Sequence, residues 1–544
     1  MPQPLLPLIM HPANGNLEPA DLNQDGVSDF LIGGSRGSAL KLLESRIVSQ
    51  WDVALASPSL PAQTAAMYPL DARQWLVAFQ KKEPGMRSTL HIFDPKKNVI
   101  TPGPEGPLTT STLAAGPLKG RGPLSVFIGA GPKVGHYPQS HASMLFTHTP
   151  PGLSRDTRNG VLLEGLGLVH DAVWSDLNQD GYPELIVAAG WSPLRVFENQ
   201  RGSLYEVTEA WGFSKHKGYW MSVTTLDLNG DGKLDVVAGN LGQNTSWKAS
   251  REKPFQLWYG TFSNPNVTDI IETVYHADGT LAPLRLLDDV GSSVPFFYQQ
   301  VKDYRAYSEA SLETLLGSRK ALAFTGEAHT FTSMVFLNTG KGVFQAKSLP
   351  VDVQYGAVTD LLPGDFNGDG ACDLAYVHNN LWMRPGMGDG LRPEMGMLMG
   401  DAEGGLKTVR QKNGMHASEP VRAARVGDFN RDNRTDLLLG YMDGRWVLQA
   451  AKEGPPGFAL HILGSPDNPR GIGCQVRLHD ANGRWSPVFE VRSDTSQPYG
   501  KGQKMVCHAS FKPSSVWVRW PGGTTRTYGL SADSPLQRIA WKPQ

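Results

Sequence analysis

Five nine-residue stretches of this 544-residue chain repeat one arrangement of oxygen-bearing side chains: DLNQDGVSD, DLNQDGYPE, DLNGDGKLD, DFNGDGACD and DFNRDNRTD, beginning at Asp21, Asp176, Asp227, Asp365 and Asp428. In an Asp-x-Asn-x-Asp-Gly loop the side chains at positions 1, 3 and 5 can converge on one hard cation. The Gly at position 6 permits the positive φ that turns the loop back on itself. A flexible, all-oxygen donor set with an acid at position 9 suits calcium better than magnesium, which demands a tighter octahedron and keeps more of its water. The expected ligands are the side chains at positions 1, 3, 5 and 9 with the carbonyl of position 7. In the first loop these are Asp21, Asn23, Asp25, Val27 and Asp29; in the second, Asp176, Asn178, Asp180, Tyr182 and Glu184. The third has Asp227, Asn229, Asp231, Lys233 and Asp235, the fourth Asp365, Asn367, Asp369, Ala371 and Asp373, and the fifth Asp428, Asn430, Asp432, Arg434 and Asp436. The competing reading is an Asp-rich turn held only by hydrogen bonds from its own backbone.

The residues after each loop exclude the helix-loop-helix calcium site. That site needs a bidentate Glu at position 12, where this chain has Ile32, Val187, Ala238, Tyr376 and Leu439. Instead the position 9 acid leads into a short apolar run such as LIVAAG or LLLGY, which reads as a buried strand. A cation here would hold a turn that feeds a strand.

Asp176 and Asp227 are 51 residues apart, Asp365 and Asp428 are 63 apart, and such a period is the length of one four-stranded propeller blade. Copies that have lost most ligands fill the gaps: PLKGRGPLS from Pro117 precedes VFIGAG, TFSNPNVTD from Thr261 precedes IIETV, and LDARQWLVAF from Leu70 keeps only the strand. The expected fold is all-β: a propeller of seven blades, or eight, over residues 1–450, followed by a small β domain over 451–544. Between Leu281 and Leu316 the rhythm breaks, and Tyr304, Tyr307, Ala310, Leu312, Leu315 and Leu316 have helical spacing, so a helix-bearing excursion is expected over about 281–320. Composition agrees with many short strands and turns: 60 Gly and 40 Pro, with 40% hydrophobic residues to fill a core.

The stretch from Asn16 to about Leu448 resembles FG-GAP/VCBS repeat proteins, whose repeats also build the integrin α-subunit head and bacterial relatives of cartilage acidic protein. Beside the loops, FLIGGSRGS from Phe30, GPKVGHYPQS from Gly131, GLVHDAVWSDLNQDG from Gly167 and AGNLGQNTSWKAS from Ala238 carry the likeness. GIGCQVRLHDANG from Gly471 and SVWVRWPGG from Ser515 resemble the ASPIC/UnbV domain. This chain departs from that pattern at YGKGQ from Tyr499 and CHASF from Cys507, where the family has a Ser-Gln pair and a His-Phe-Gly-Leu-Gly run. The resemblance implies a calcium-bearing propeller in a secreted or cell-envelope protein.

A net charge of −1 gives no basic face for nucleic acid, and no apolar stretch approaches the eighteen or so residues that span a membrane. The start, MPQPLLPLIM, lacks the basic region of a signal peptide; the expectation is a leader outside this numbering and a calcium-rich extracellular or periplasmic setting. Cys474 and Cys507 could pair in an oxidising compartment, with Cys372 left free.

Catalytic constellations are weak by comparison. GGSRG, Gly33–Gly37, matches Gly-x-Ser-x-Gly, but no ordered acid and His partners accompany Ser35, and a hairpin turn accounts for it. His136, His141 and His148 are closely spaced without a zinc signature. The tryptophans Trp174, Trp191, Trp211, Trp220, Trp247 and Trp258 crowd the centre of the chain as core residues or as platforms for sugar rings. The expected activity is therefore binding, to a protein or glycan at the cell surface or in an envelope complex, with calcium structural. The alternative is a propeller hydrolase or lyase with its site in the central channel.

Overall fold

The computed structural model describes residues 17–20, 29–32, 39–47 and 50–542, the last stretch apart from 61–62, 71–73, 81–82, 84–85, 150–151, 341, 380–394, 402, 410–420, 442–445, 452–453, 494–502 and 532–535. The first loop from Asp21, except Asp29 at its end, and the Gly33–Gly37 segment lie outside the described residues.

Seven antiparallel sheets follow one another along the chain. The first holds Leu17–Ala20, Asp29–Ile32, Ala39–Ile47 and Gln50–Ser59, and the second Thr64–Pro69, Trp75–Phe79, Leu90–Asp94 and Val99–Pro102. The third runs from Thr110–Gly116 through Ser125–Ala130 and Met144–Thr149 to Gly152–Arg155, and the fourth from Leu168–Ser175 through Glu184–Ser192 and Arg195–Gln200 to Ser203–Glu206. The fifth pairs Ser222–Leu226, Asp235–Gly239, Met334–Asn338 and Phe344–Ser348; the sixth pairs Ala357–Gly364, Asp373–Asn379, Met395–Gly400 and Leu406–Thr408. The seventh has three described strands, Val421–Gly427, Asp436–Tyr441 and Trp446–Gln449.

From the second sheet onward, the first strand of each packs on the first strand of the next, as the inner strands of propeller blades do. Both faces of a middle strand are then covered, which explains the apolar runs that the sequence shows without alternation. Six apolar cores result, one between each successive pair. Leu40, Trp75 and Phe79 join the first and second sheets; Leu76, Val126 and Phe146 the second and third; Phe127, Trp174 and Leu185 the third and fourth. Ile186, Trp220 and Val236 join the fourth and fifth, Val237, Val358 and Leu374 the fifth and sixth, and Ala375, Ala424 and Leu437 the sixth and seventh.

Two sequence expectations need correction. The strand after TFSNPNVTD, Asp269–Tyr275, does not fill a place in the series. It belongs to a separate sheet, with Phe255–Gly260, Phe324–Ala328 and Leu281–Pro283, inserted between the second and third strands of the fifth sheet. The excursion therefore starts well before residue 281. Its four short helices, Leu287–Gly291, Phe297–Gln300, Tyr304–Glu309 and Leu312–Leu316, pack on that sheet through Phe297, Tyr307, Leu315 and Ile271. Cys474 and Cys507 are buried and free, with no disulfide between them, and Cys372 is free as well.

After the seventh sheet come two further sheets. Phe458–Leu463 lies between Gln503–Cys507, antiparallel, and Leu536–Ala540, parallel. Gln475–His479 lies between Phe489–Glu490 and Ser515–Arg519, with Thr525–Gly529 at the edge. Their inner faces share one apolar core around Leu460, Val476, Val518 and Trp520.

Candidate cation loops

All five strands that follow an acidic loop begin at its position 9 acid: Asp29, Glu184, Asp235, Asp373 and Asp436. In the four described loops one hydrogen-bond pattern recurs. The amide of position 6 donates to the position 1 carboxylate: Gly181 to Asp176 (3.0 Å), Gly232 to Asp227 (3.0 Å), Gly370 to Asp365 (2.7 Å) and Asn433 to Asp428 (3.2 Å). The amide of position 2 donates to the position 9 carboxylate: Leu177 to Glu184, Leu228 to Asp235, Phe366 to Asp373 and Phe429 to Asp436, at 2.8 to 3.0 Å. The amide of position 5 donates to the Asn at position 3, and the amide of position 7 to the Asp at position 5. Positions 4 and 6 have positive φ in every case, whether Gly or, as at Gln179, Arg431 and Asn433, another residue.

These bonds fix the two ends of each loop differently from its tip. The acids at positions 1 and 9 are brought together and buried, Asp428 alone being half-buried, whereas Asp180, Asp231 and Asp369 at position 5 are exposed. Burial pushes the carboxyl pKa of Asp176, Asp227 and Asp365 up to about 6 and that of Asp235, Asp373 and Asp436 up to about 7. Glu184 is pushed well up by burial first and by the charge of Asp176 second.

A hydrogen-bonded turn alone does not use every oxygen. Asp176 Oδ1, Glu184 Oε1 and Asp227 Oδ1 are buried and have no hydrogen-bond partner, an arrangement that costs free energy unless something else meets them. The donor chemistry, carboxylates with an amide oxygen and a main-chain carbonyl, fits a hard cation. Among the described residues, no three His, Cys, Asp or Glu side chains are gathered as a metal cluster would be, so the position 5 acids are not drawn to those at 1 and 9. In two loops position 5 meets a cationic neighbour instead: Lys233 Nζ lies 2.8 Å from Asp231 Oδ2, and Arg434 Nη1 3.2 Å from Asp432 Oδ2. The histidine trio is dispersed: His136 Nδ1 lies 3.1 Å from Thr268 Oγ1, while His148 is buried. Trp174, Trp211 and Trp220 are core residues.

The fifth loop has Asn433 at φ +60° where the others have Gly, and its position 6 contact is the longest of the four. Asn tolerates the left-handed region better than most residues but less well than Gly. We expect Asn433→Gly to tighten cation binding at this loop by a few-fold in calorimetric titration; unchanged or weaker binding would refute the backbone argument.

Sequence reasoning did not anticipate what lies over these loops. Residues after 451 reach all four. Gln475 Nε2 donates to the Asp176 carbonyl (2.8 Å), the Asp176 amide to Glu490 Oε1 (3.0 Å) and Ser175 Oγ to Glu490 Oε2 (2.6 Å). The Val488 amide donates to Asp227 Oδ2 (2.8 Å), the Gly522 amide to the Gly181 carbonyl (2.8 Å) and the Gly457 amide to the Asn433 carbonyl (2.7 Å). At the fourth loop a Cβ on Gly370 would lie 2.4 Å from the Ser510 nitrogen.

Residues 176–238, the second and third loops with the strands around them, match the FG-GAP-like repeat. No curated protein matches the chain. Solved structures that resemble it include Saccharomyces cerevisiae Sqt1 (11% identity, 82% of this chain and 100% of that one, TM-score 0.39). The biofilm matrix protein Bap1 of V. cholerae (11%, 94% and 98%, 0.36) and the Cps50 (Swd1) β-propeller domain of Myceliophteria thermophila (7%, 82% and 99%, 0.38) are others. At such scores these likenesses bear no weight for function.

Proposed function

We propose that this chain is a calcium-stabilised, seven-bladed β-propeller, residues 1–450, carrying a small ASPIC/UnbV-like β domain, residues 451–544, and that it acts outside the cytosol as a protein- or glycan-binding scaffold. Six packed sheet interfaces in series support a count of seven blades. The observation that carries the calcium reading is the buried, unpartnered oxygens of Asp176, Glu184 and Asp227 inside loops of one repeated geometry. Each ion would be held by positions 1, 3, 5, 7 and 9, and would neutralise acids that otherwise repel one another at the start of a buried strand.

A binding role draws support from two surfaces. A cavity of about 410 Å³ between the fourth and fifth sheets is lined by the polar groups Asn178, Gln179, Glu198 and Lys233 beside the buried Trp211, a polar hollow of the kind that meets a hydroxyl-rich ligand. On the excursion Leu286, Tyr298, Tyr304 and Phe324 are exposed, apolar groups on an insertion where recognition is commonly placed. No described helix is long and apolar enough to cross a membrane.

Calorimetric titration of the metal-free protein tests the central claim. We expect at least three calcium ions per chain, with magnesium binding much more weakly. Fewer than three would sink the reading and leave turns held by their own hydrogen bonds.

A further inference from the structure

We propose that the C-terminal unit supplies the outer shell of the cation sites at Asp176 and Asp227, so that its docking and cation binding at these two loops form one linked equilibrium. This rests on the calcium reading and goes beyond it by dividing the loops into two classes.

The division follows from who holds the position 1 carboxylate. At Asp365 both oxygens are taken within the loop, Oδ1 by the Gly368 amide (2.6 Å) and Oδ2 by the Gly370 amide (2.7 Å). At Asp227 the loop supplies one donor, Gly232, and the C-terminal unit a second, Val488, both on Oδ2; Oδ1 is left buried, fixed in orientation and unpartnered. At Asp176 the Gly181 amide holds Oδ2 while Arg519 Nη1 stands 3.6 Å from the same atom, again leaving Oδ1 buried and unpartnered. Arg519 is itself held by Gln475 Oε1 (3.0 Å), and Gln475 and Glu490 grip the Asp176 main chain from both sides. Groups that orient a ligand without touching the ion set its affinity, and their loss commonly costs 10–100-fold.

The sign of the linkage follows from charge. Asp176, Glu184 and Glu490 are buried together, opposed by Arg519 and Arg492, and Asp227 and Asp235 are opposed by Arg477. With every acid ionised, as a bound cation requires, each of these clusters carries one more negative than positive charge. A cation added to either offsets it, and what favours the docked state must in turn be favoured by it.

Hydrogen exchange on the full chain, in calcium and in chelator, tests this beside calorimetry. We expect calcium to slow exchange at the Val488 and Gly522 amides at least tenfold more than at strand Phe255–Gly260 of the inserted sheet, which reports the stabilisation common to the whole chain. Glu490→Gln should weaken one calcium site about tenfold and spare the others. Calcium binding with unchanged or faster exchange at Val488 and Gly522 would overturn the linkage alone. So would an equal change at Phe255–Gly260, or a Glu490→Gln effect on every site or on none. Titration that shows no calcium binding would overturn both this inference and the calcium reading. Should Glu490→Gln fail to fold, the exchange result on the unaltered chain decides.

Discussion

Chelation of calcium at pH 7.5 is expected to lower the melting temperature by on the order of 10 °C. A ligand at a hundred times its Kd stabilises the native state by about 2.7 kcal/mol per site. Four described loops acting together would supply roughly 10 kcal/mol, against an unfolding entropy of about 1 kcal/mol per degree for a chain of 544 residues. The same effect should depend on pH with a definite sign. In the metal-free protein burial pushes Asp176, Asp227 and Asp365 up to about 6 and Asp235, Asp373 and Asp436 up to about 7, while in the unfolded chain such acids titrate near 4. A raised folded pKa contributes stability that is present below the unfolded value and lost as pH rises through the folded one. The metal-free loops therefore weaken the fold as pH goes from 4 to 7. Calcium requires those acids deprotonated, so its contribution runs the other way and fades as pH falls. Buried histidines such as His170 and His378, pushed down by burial, titrate in both forms and cancel in the comparison. The gap between melting temperatures in calcium and in chelator should thus be wide at pH 7.5 and narrow at pH 5. A gap that is absent, or that widens on acidification, would show that the loop acids hold no cation.

How much of this could be read from the sequence depended on the range of the interaction. The position 9 acids and the apolar runs after them mark strand starts because turn and strand are decided within a dozen residues. Glu184, Asp235, Asp373 and Asp436 each bond the amide seven residues earlier, a local contact, and only their second oxygens look further, Asp235 to the Asn338 amide, Asp373 to Gly400 and Asp436 to Ala451. The same local signal misled at TFSNPNVTD. There the Ser263 amide donates to Asp269 Oδ2 at 2.7 Å, and a strand follows as it does in a true copy. Which sheet the strand joins is settled by its pairing with Phe255–Gly260 and Leu281–Pro283, which no turn encodes. The outer shell at Asp176 was invisible for the same reason. Glu490 and Gln475 lie about 300 residues further along the chain, beyond the reach of any local pattern.

Gly181→Ala should be among the most damaging single-methyl changes in the chain, while Gly230→Ala, in the next loop, should be mild. Both glycines have positive φ, +87° and +67°, so each substitution meets a backbone penalty of about 1–2 kcal/mol. Their surroundings differ. A Cβ on Gly230 meets nothing within 4 Å, and position 4 already accepts Gln179 and Arg431 elsewhere in the chain at nearly the same φ. A Cβ on Gly181 would lie 2.1 Å from the Gly523 nitrogen and 2.4 Å from its Cα, rigid main chain of the C-terminal unit that cannot rotate aside. Relief requires either the second loop to open or the Gly522–Gly181 contact to part, which adds roughly 1–3 kcal/mol or more. Chemical denaturation should therefore show a loss of about 3 kcal/mol or more for Gly181→Ala against about 1 kcal/mol for Gly230→Ala, with faster exchange at the Gly522 amide in the first variant only. Equal losses would mean that the cost lies wholly in the backbone conformation and that the C-terminal unit does not press on the second loop.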